Sequence, residues 1–321
     1  MRRLLLLALL VVPPSARADG VNVTFIDDQP RAVLAILDKR AAQQPITDAD
    51  WQRVFTSEGY IRLKAREHSM KRAFEDDTFK TFVLSDDLLA KRSRLAATLA
   101  EWMKADLGRA AARALAYLPE GTTIRAKVYP SIKPATNSFV FETTTNPAIF
   151  MYLEPLPRAE FERTIAHELH HVGYAGVCGD DDPSDAVQWF GAFGEGVATL
   201  AAGGPPSKPD VQAEWTKQMQ RFDANFTTLD DFFRQVVEGK LTGEAQTRRA
   251  YEFFGLVGPW YTVGHRMATI IEQTLGRKTL IDAMCDTRTL PATYNRAAAE
   301  WEKTHKGEKL PRWSDALLEK L

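Results

Sequence analysis

Residues 158–172 read RAEFERTIAHELHHV, and this stretch decides how the rest of the 321-residue chain is interpreted. It contains no proline or glycine, and at 100° per residue its apolar side chains fall on one stripe, which predicts an amphipathic helix. The stripe consists of Phe161, Ile165, Leu169 and Val172. We expect the helix to bury this stripe in a core and to keep its polar side chains along the edge.

His167 and His171 lie four residues apart in this helix, in a match to the pattern H-E-x-x-H. Side chains at i and i+4 are neighbours on a helix, so both imidazoles can bind one Zn²⁺. Glu168 lies beside them, where its carboxylate can act as general base toward a water activated by the metal. The alternative is a set of histidines on a solvated helix face. We interpret His170 as solvent-facing or as a support for the ligands, and not as a ligand.

A catalytic zinc site commonly has three protein ligands and one open position, so the two histidines need a partner. Tyr174 and Val177 stand where the metzincin pattern requires glycine and histidine, which excludes that class. Glu195 is the only charged residue within 186–204, and burial of a carboxylate without a cation is costly. We therefore predict Glu195 as the third ligand, with a core carboxylate paired to an arginine as the alternative.

Three glycines flank Glu195 on its predicted helix, namely Gly191, Gly194 and Gly196. Each of them weakens a helix by up to about 1 kcal/mol relative to alanine. We expect that they allow this helix to approach the motif helix closely.

The motif and the segment around Glu195 together resemble the gluzincin class of zinc metallopeptidases. H-E-x-x-H is followed 24 residues later by a glutamate in the sequence GEGVA at 194–198. The chain is closest to uncharacterised bacterial families of zinc-dependent peptidases, to which it is also similar in DW at 50–51, EGY at 58–60 and PWYTVG at 259–264. It departs from thermolysin-like enzymes at Gly194 and Thr199, which replace an Asn and an Asp around the ligand Glu. It also lacks the G-x-M-E-N signature of aminopeptidases.

The resemblance implies an α+β, mostly helical fold with a gluzincin-like (thermolysin-like) core. A small mixed sheet would pack on the motif helix, and a helical C-terminal part would close the cleft. The strand that we predict at 148–153 directly precedes the motif helix and would be the edge strand of that sheet. An edge strand can bind an extended polypeptide through its backbone groups, so a polypeptide is the expected substrate.

A donor for the developing oxyanion is predicted on the segment 259–267, where Tyr261 and His265 lie one turn apart. The resemblance favours Tyr261, whereas the thermolysin type of chemistry uses a histidine and keeps His265 as a candidate. The alternative is a tyrosine and a histidine in an ordinary amphipathic helix.

The remaining periodicities predict helices in the first hundred residues after position 18 and strands further on. Helices are expected over 29–43, from Thr47, from Ser85 through Trp102 and over 110–118; strands are expected over 122–129, 139–145 and 148–153. The predicted parts are a signal peptide (1–18), a helical N-terminal part (19–120), the sheet with the motif helix and the Glu195 helix (121–205), and a helical C-terminal part (206–321). We expect 19–321 to form one catalytic unit.

The first 18 residues have the pattern of a secretory signal peptide: two arginines, an apolar run over 4–12, and Ala-Arg-Ala before a cleavage after Ala18. The protein is therefore expected to be secreted or periplasmic. No apolar run is long enough for a membrane span. Cys178 and Cys285 are the only cysteines, and an even number in an exported protein predicts a disulfide, with two separate thiols as the alternative.

Composition and charge limit the function classes further. With 45% hydrophobic and 26% charged residues the chain is neither disordered nor fibrous, and a formal net charge of −1 argues against nucleic acid as a partner. The expected function is peptide-bond hydrolysis with one Zn²⁺. The alternatives are a catalytically silent zinc-binding scaffold or binding protein, and a zinc hydrolase of a non-peptide amide. Glu168 argues against the scaffold, because a structural site gains nothing from a base there.

Overall fold

The computed structural model describes residues 20–178 and 185–321. The predicted signal peptide lies outside the described residues, as do the aspartates 180–182, which the sequence predicts as a solvated loop in preference to a Ca²⁺ site. The elements follow one another as β1 (Val21–Phe25), α1 (Asp28–Ala41), α2 (Asp48–Phe55), α3 (Glu58–Ser69), α4 (Asp76–Val83), α5 (Asp86–Trp102), α6 (Leu107–Leu115), β2 (Ile124–Ser131), β3 (Phe139–Phe141), β4 (Ala148–Tyr152), α7 (Arg158–Val177), α8 (Asp185–Phe190), α9 (Gly194–Ala201), α10 (Pro209–Gln220), α11 (Phe222–Val237), α12 (Gly243–Glu252), α13 (Pro259–Leu275), α14 (Arg277–Cys285), α15 (Leu290–Thr304) and α16 (Asp315–Leu318).

The four strands form one mixed sheet in the order β1-β2-β4-β3. β1 and β4 both run parallel to β2, and β3 runs antiparallel to β4. The prediction that the strand at 148–153 lies at the edge is therefore wrong, because β3 covers it. Phe139 of β3 is paired with Phe150 of β4, and their rings stack with centroids 5.1 Å apart, which favours this antiparallel pairing. The edge of the sheet on this side is the three-residue strand β3.

β1 corrects a second prediction, since the sequence indicated an entirely helical N-terminal part. Its side chains alternate between partly buried and exposed positions, as expected of a strand with one face on a core. Val21 is paired with Ile124 of β2. Such a short strand gives little local signal, and its partner lies far along the chain.

Helix starts that were predicted from capping residues are confirmed. The Thr47 backbone N–H donates to Asp50 Oδ2 at 2.8 Å in front of α2, and the Leu88 N–H donates to Ser85 Oγ at 3.3 Å in front of α5. These bonds satisfy backbone donors that a helix leaves unpaired at its first turn.

The motif helix α7 lies between two apolar cores. Its stripe of Phe161, Ile165 and Leu169 is fully buried against the N-terminal helices and the sheet. A second core is built from helices of the C-terminal half, and Tyr174 of α7 packs against both cores. Because α7 also contacts α9, and α9 contacts α13, the edge of α7 that carries the motif borders the second half of the fold.

The architecture agrees with the α+β class: the described residues are mostly helical and include one small mixed sheet. The boundaries after residues 18, 120 and 205 stay predictions. Among the helices that the structure describes, none combines the length and the apolar character that a membrane span requires.

A disulfide joins the end of α7 to the end of α14. Cys178 and Cys285 form this bond, with their Cα atoms 4.5 Å apart. Beside it the hydroxyl of Tyr174 donates to the carbonyl oxygen of Met284 at 2.8 Å. The C-terminal end of the motif helix is therefore attached to the second half of the fold by a covalent bond and a hydrogen bond.

Candidate active site

His167 and His171 on α7 meet Glu195 in the first turn of α9. Nε2 of His167 lies 3.0 Å from Oε2 of Glu195, Nε2 of His171 lies 3.2 Å from the same oxygen, and the two Nε2 atoms are 3.1 Å apart. In the described part of the chain this is the one group of three or more His, Cys, Asp or Glu side chains that could hold a metal ion. The structure thus brings the three predicted ligands together.

The donor set and its spacing fit zinc. Two imidazole nitrogens and one carboxylate oxygen are ligands that catalytic zinc sites use, with a fourth position left open. Ligand atoms at ordinary zinc distances and tetrahedral angles are about 3.3–3.4 Å apart. The three separations of 3.0–3.2 Å are close to that value.

Electrostatic attraction holds the three side chains together. Burial lowers the pKa of His171, but Glu195 outweighs this effect and raises the pKa to about 9. Burial also raises the pKa of Glu195, and His171 and His167 outweigh it, so that the pKa of this carboxyl lies well below its usual range. The carboxylate is therefore ionised and needs positive charge beside it, which a bound divalent cation can supply in place of protons.

Glu168 lies in the wall of the cavity that adjoins these ligands, which is also lined by His167. The pKa of Glu168 is raised above its ordinary value. Burial is the main cause and the charge of Glu195 adds to it, while the two histidines oppose the shift. Glu168 is not part of the ligand group. The arrangement gives this site a carboxylate that is free to exchange a proton next to the ligands.

Tyr261 lies in the wall of the same cavity, near the start of α13. Its ring is nearly parallel to that of His167, with centroids 6.3 Å apart. Burial raises the pKa of the phenol, and Glu195 and Glu168 raise it further. Part of the effect of Glu195 is a hydrogen bond with the hydroxyl, which therefore stays protonated near neutral pH and can donate.

His265, one turn further along α13, does not line this cavity. Its ring packs edge-on against Trp215 of α10, with centroids 5.1 Å apart, and burial lowers its pKa to about 4. The Nδ1 atom is buried, and no hydrogen-bond partner for it is present among the described residues. Of the two donor candidates, the structure brings Tyr261 and not His265 to the cavity wall.

The expectation that three glycines let the Glu195 helix approach α7 is wrong. A Cβ on Gly196 would lie 2.1 Å from the backbone nitrogen of His265, so this glycine allows close approach to α13 instead. Gly191 and Gly194 have no atoms within 4 Å of such a Cβ. They lie instead where the predicted continuous helix is interrupted, since a 3₁₀ turn at Gly191–Phe193 separates α8 from α9.

His170 is not solvent-facing, which corrects the interpretation that it projects into water. Its side chain is 1% exposed, and burial lowers its pKa to about 3, so the imidazole is neutral. The reason is that α6 and the segment after it cover this side of α7: a Cβ on Gly173 would lie 2.3 Å from Cδ1 of Leu118, three residues after the end of α6. The ring of His170 packs against that of Tyr174, at a centroid distance of 6.3 Å.

The residues that shape the cavity are not predictable from the sequence. The volume of the cavity is about 190 Å³, and besides the site residues it is lined by side chains from α7, the end of α9, α10 and the segment before α13. Val211, Leu256 and Val257 are examples. They are ordinary apolar residues, so nothing in their identity indicates a site, and only the fold brings them next to Glu168.

Comparison with known proteins gives one match. No curated protein and no solved structure matches the chain. A family model matches residues 51–303, which is most of the chain and includes His167, Glu168, His171, Glu195 and Tyr261. The description of this family names zinc, in agreement with a ligand group suited to zinc. The chain belongs to the family described as "Putative zinc dependent peptidase (DUF5700)".

Proposed function

We propose that this protein is an exported zinc metallopeptidase of the gluzincin type that hydrolyses peptide bonds in polypeptides. One Zn²⁺ would be held by His167, His171 and Glu195. The observation that carries the proposal is the convergence of three ligand atoms, 3.0–3.2 Å apart, beside a cavity with Glu168 and Tyr261 in its wall. Membership of a family of zinc-dependent peptidases supports the same function.

Glu168 and Tyr261 would carry out different parts of the reaction. A zinc ion bound here would supply Lewis acidity, which polarises a water molecule and the substrate carbonyl. Glu168 accepts the proton of the attacking water and returns it to the leaving amine. Tyr261 donates a hydrogen bond to the oxyanion that develops on the carbonyl oxygen, a contribution typically worth about 2.7–4 kcal/mol.

The gluzincin assignment rests on the order and placement of the elements. The sheet precedes α7, α7 carries the two histidines, and the glutamate comes from α9, the second helix after α7. β3 is the edge strand on the side of β4, so we assign to Phe139–Phe141 the strand-addition role first predicted for 148–153. An extended polypeptide fits such an edge better than a compact amide does, which makes the non-peptide amide the second choice.

Export is supported by two features of the chain. The N-terminal pattern is that of a signal peptide cleaved after Ala18. The disulfide between Cys178 and Cys285 is a bond that persists in oxidising compartments. Both agree with a secreted or periplasmic enzyme.

The test combines metal analysis with digestion of a peptide library by the purified protein. We expect one zinc per chain, cleavage of library peptides, and loss of cleavage with a chelator that zinc reverses. One tightly bound zinc without cleavage of any peptide would favour the catalytically silent scaffold. Cleavage that resists chelation and persists in metal-free protein would contradict the proposal.

A further inference from the structure

We propose that the cavity beside Glu168 is a specificity pocket for an apolar side chain of phenylalanine or leucine size. The side chain would belong to the peptide residue next to the bond that is cleaved. This inference rests on the proposed peptidase function and adds a substrate class to it. It assigns specificity to Val211, Leu256 and Val257.

The lining of the cavity is mainly apolar away from the ligands. Val211 comes from the first turn of α10, and Leu256 and Val257 come from the segment that leads into α13. Val211 and Val257 pack with Trp215 into a small apolar cluster that also contacts Tyr261. The wall opposite α7 is therefore a hydrocarbon surface held in a fixed position next to the donor candidate.

The size of the cavity sets the size of the side chain that it can hold. Its volume is about 190 Å³. An apolar cavity of about 150 Å³ is sufficient to bind benzene. A phenyl or isobutyl group therefore fits, while a methyl group would leave most of the apolar wall without a contact.

Apart from Glu168 and the proposed zinc ligand His167, Arg163 is the one charged side chain that lines the cavity. Its charge is already paired. Its Nη1 donates to the carbonyl oxygen of Pro205 at 2.7 Å, and its Nη2 forms a salt bridge with Glu160. Glu160 also accepts a hydrogen bond from the Ser207 backbone at 3.0 Å. Arg163 thus fixes the loop after α9 against α7 instead of offering a free cation, so an acidic side chain gains no partner in the cavity.

The mouth of the cavity has an exposed apolar residue. Leu256 lines the cavity and is 58% exposed, one of the few large hydrophobic side chains in the described residues with that much contact to solvent. Water contact at such a residue is unfavourable, and an apolar ligand would remove it. A ligand that enters beside Leu256 would therefore gain an apolar contact at the mouth of the cavity.

The experiment uses two blocked hexapeptides of glycine and alanine, one of which carries a single phenylalanine in the centre. We expect the zinc-loaded wild type to cleave next to the phenylalanine, with a kcat/KM at least about 50-fold above that for the alanine peptide. Val211→Phe fills the cavity and should lower this ratio about 10-fold or more. Leu256→Ser changes only the mouth and should lower it about 3-fold. Ile61→Ser, at an equally exposed hydrophobic position on α3, is the matched control and should leave it unchanged.

Binding provides a readout that does not need turnover. Zinc-loaded Glu168→Gln protein should bind the phenylalanine peptide at least about 10-fold more tightly than the alanine peptide, and Val211→Phe in the same background should abolish the difference. Equal binding of the two peptides overturns the pocket, and so does tighter binding or faster cleavage of a matched hexapeptide that carries aspartate or lysine in place of the phenylalanine. If the wild type cleaves neither peptide nor any library member, the peptidase proposal fails, and the binding ratio still decides whether the pocket exists.

Discussion

Gly196 of α9 and Gly264 of α13 lie against each other at a helix crossing that leaves no room for a side chain on either. A Cβ on Gly264 would lie 2.9 Å from the carbonyl oxygen of Phe193 and 3.3 Å from the Cα of Gly196. Glu195 directly precedes Gly196, and Tyr261 lies three residues before Gly264 on the same helix. The crossing therefore fixes how far Glu195, the proposed third ligand, lies from the proposed donor.

Alanine substitutions at two glycines of α9 should have different effects on stability. Gly196→Ala places a methyl group against the backbone of α13, so we expect the free energy of unfolding to fall by about 3 kcal/mol or more. Gly194→Ala is the matched control, because Gly194 has right-handed helical angles and open space around it. It should be neutral or stabilising by up to about 1 kcal/mol. Urea unfolding curves measure both, and equal effects would contradict the close crossing.

Removal of any one ligand should release the metal. His167→Ala, His171→Ala and Glu195→Ala each leave two donors, so zinc per chain should fall well below one after dialysis. His68→Ala, at an exposed histidine on α3, should retain zinc fully. Near-stoichiometric zinc in Glu195→Ala would show that Glu195 is not a ligand. The same result in His167→Ala would show that zinc does not bind at the predicted site.

Glu168→Gln separates binding from chemistry. The amide keeps the size of the side chain but cannot accept a proton, so zinc content and melting temperature should be retained. The value of kcat should fall by about 10²-fold or more, the usual contribution of a general base. Glu101→Gln, at an exposed position on α5, is the control. An unchanged kcat in Glu168→Gln would mean that this carboxylate takes no part in the reaction.

Tyr261→Phe tests the oxyanion donor, because it removes one oxygen and little packing. We expect kcat/KM to fall about 10²–10³-fold, with the loss in kcat and little change in melting temperature. Tyr251→Phe, on an exposed tyrosine of α12, should have no effect.

His265→Ala completes this comparison. Its ring lies against Trp215 and outside the cavity lining, so we expect some loss of stability and no comparable loss of kcat. An active Tyr261→Phe with an inactive His265→Ala would assign the donor to the histidine. Normal turnover in both, with an inactive Glu168→Gln, would leave the donor to a residue outside α13.

Sequence was sufficient for the elements whose signal is local. The periodicity of α7, the capping residues Thr47 and Ser85 in front of α2 and α5, and the alternation in β2 depend on neighbours a few residues apart, and all four elements are found. The grouping of His167, His171 and Glu195 was also predictable, because one charged residue in an apolar segment needs a partner.

The remaining features depend on contacts between distant parts of the chain. β1 pairs with a strand that follows six helices later, and β3 covers β4 after a turn that the sequence does not specify. Gly196 packs against the backbone of α13 and not against α7. A glycine in the sequence indicates that another element comes close, but it does not indicate which element. The burial of His170 similarly depends on where α6 and the segment after it lie. Helical periodicity gives the direction of a side chain but does not identify the element that covers it.

The disulfide between Cys178 and Cys285 keeps the two parts of the chain covalently joined after a single cut of the backbone between these cysteines. The walls of the cavity therefore stay in one molecule. α9, α10 and α13 all lie inside the loop that this bond closes. A peptidase that cuts a neighbouring copy of itself anywhere in this loop would therefore yield two fragments that separate on a gel only after reduction. Such a cut adds one water molecule and leaves the two fragments joined, so a gel run without reduction does not report whether the chains are whole.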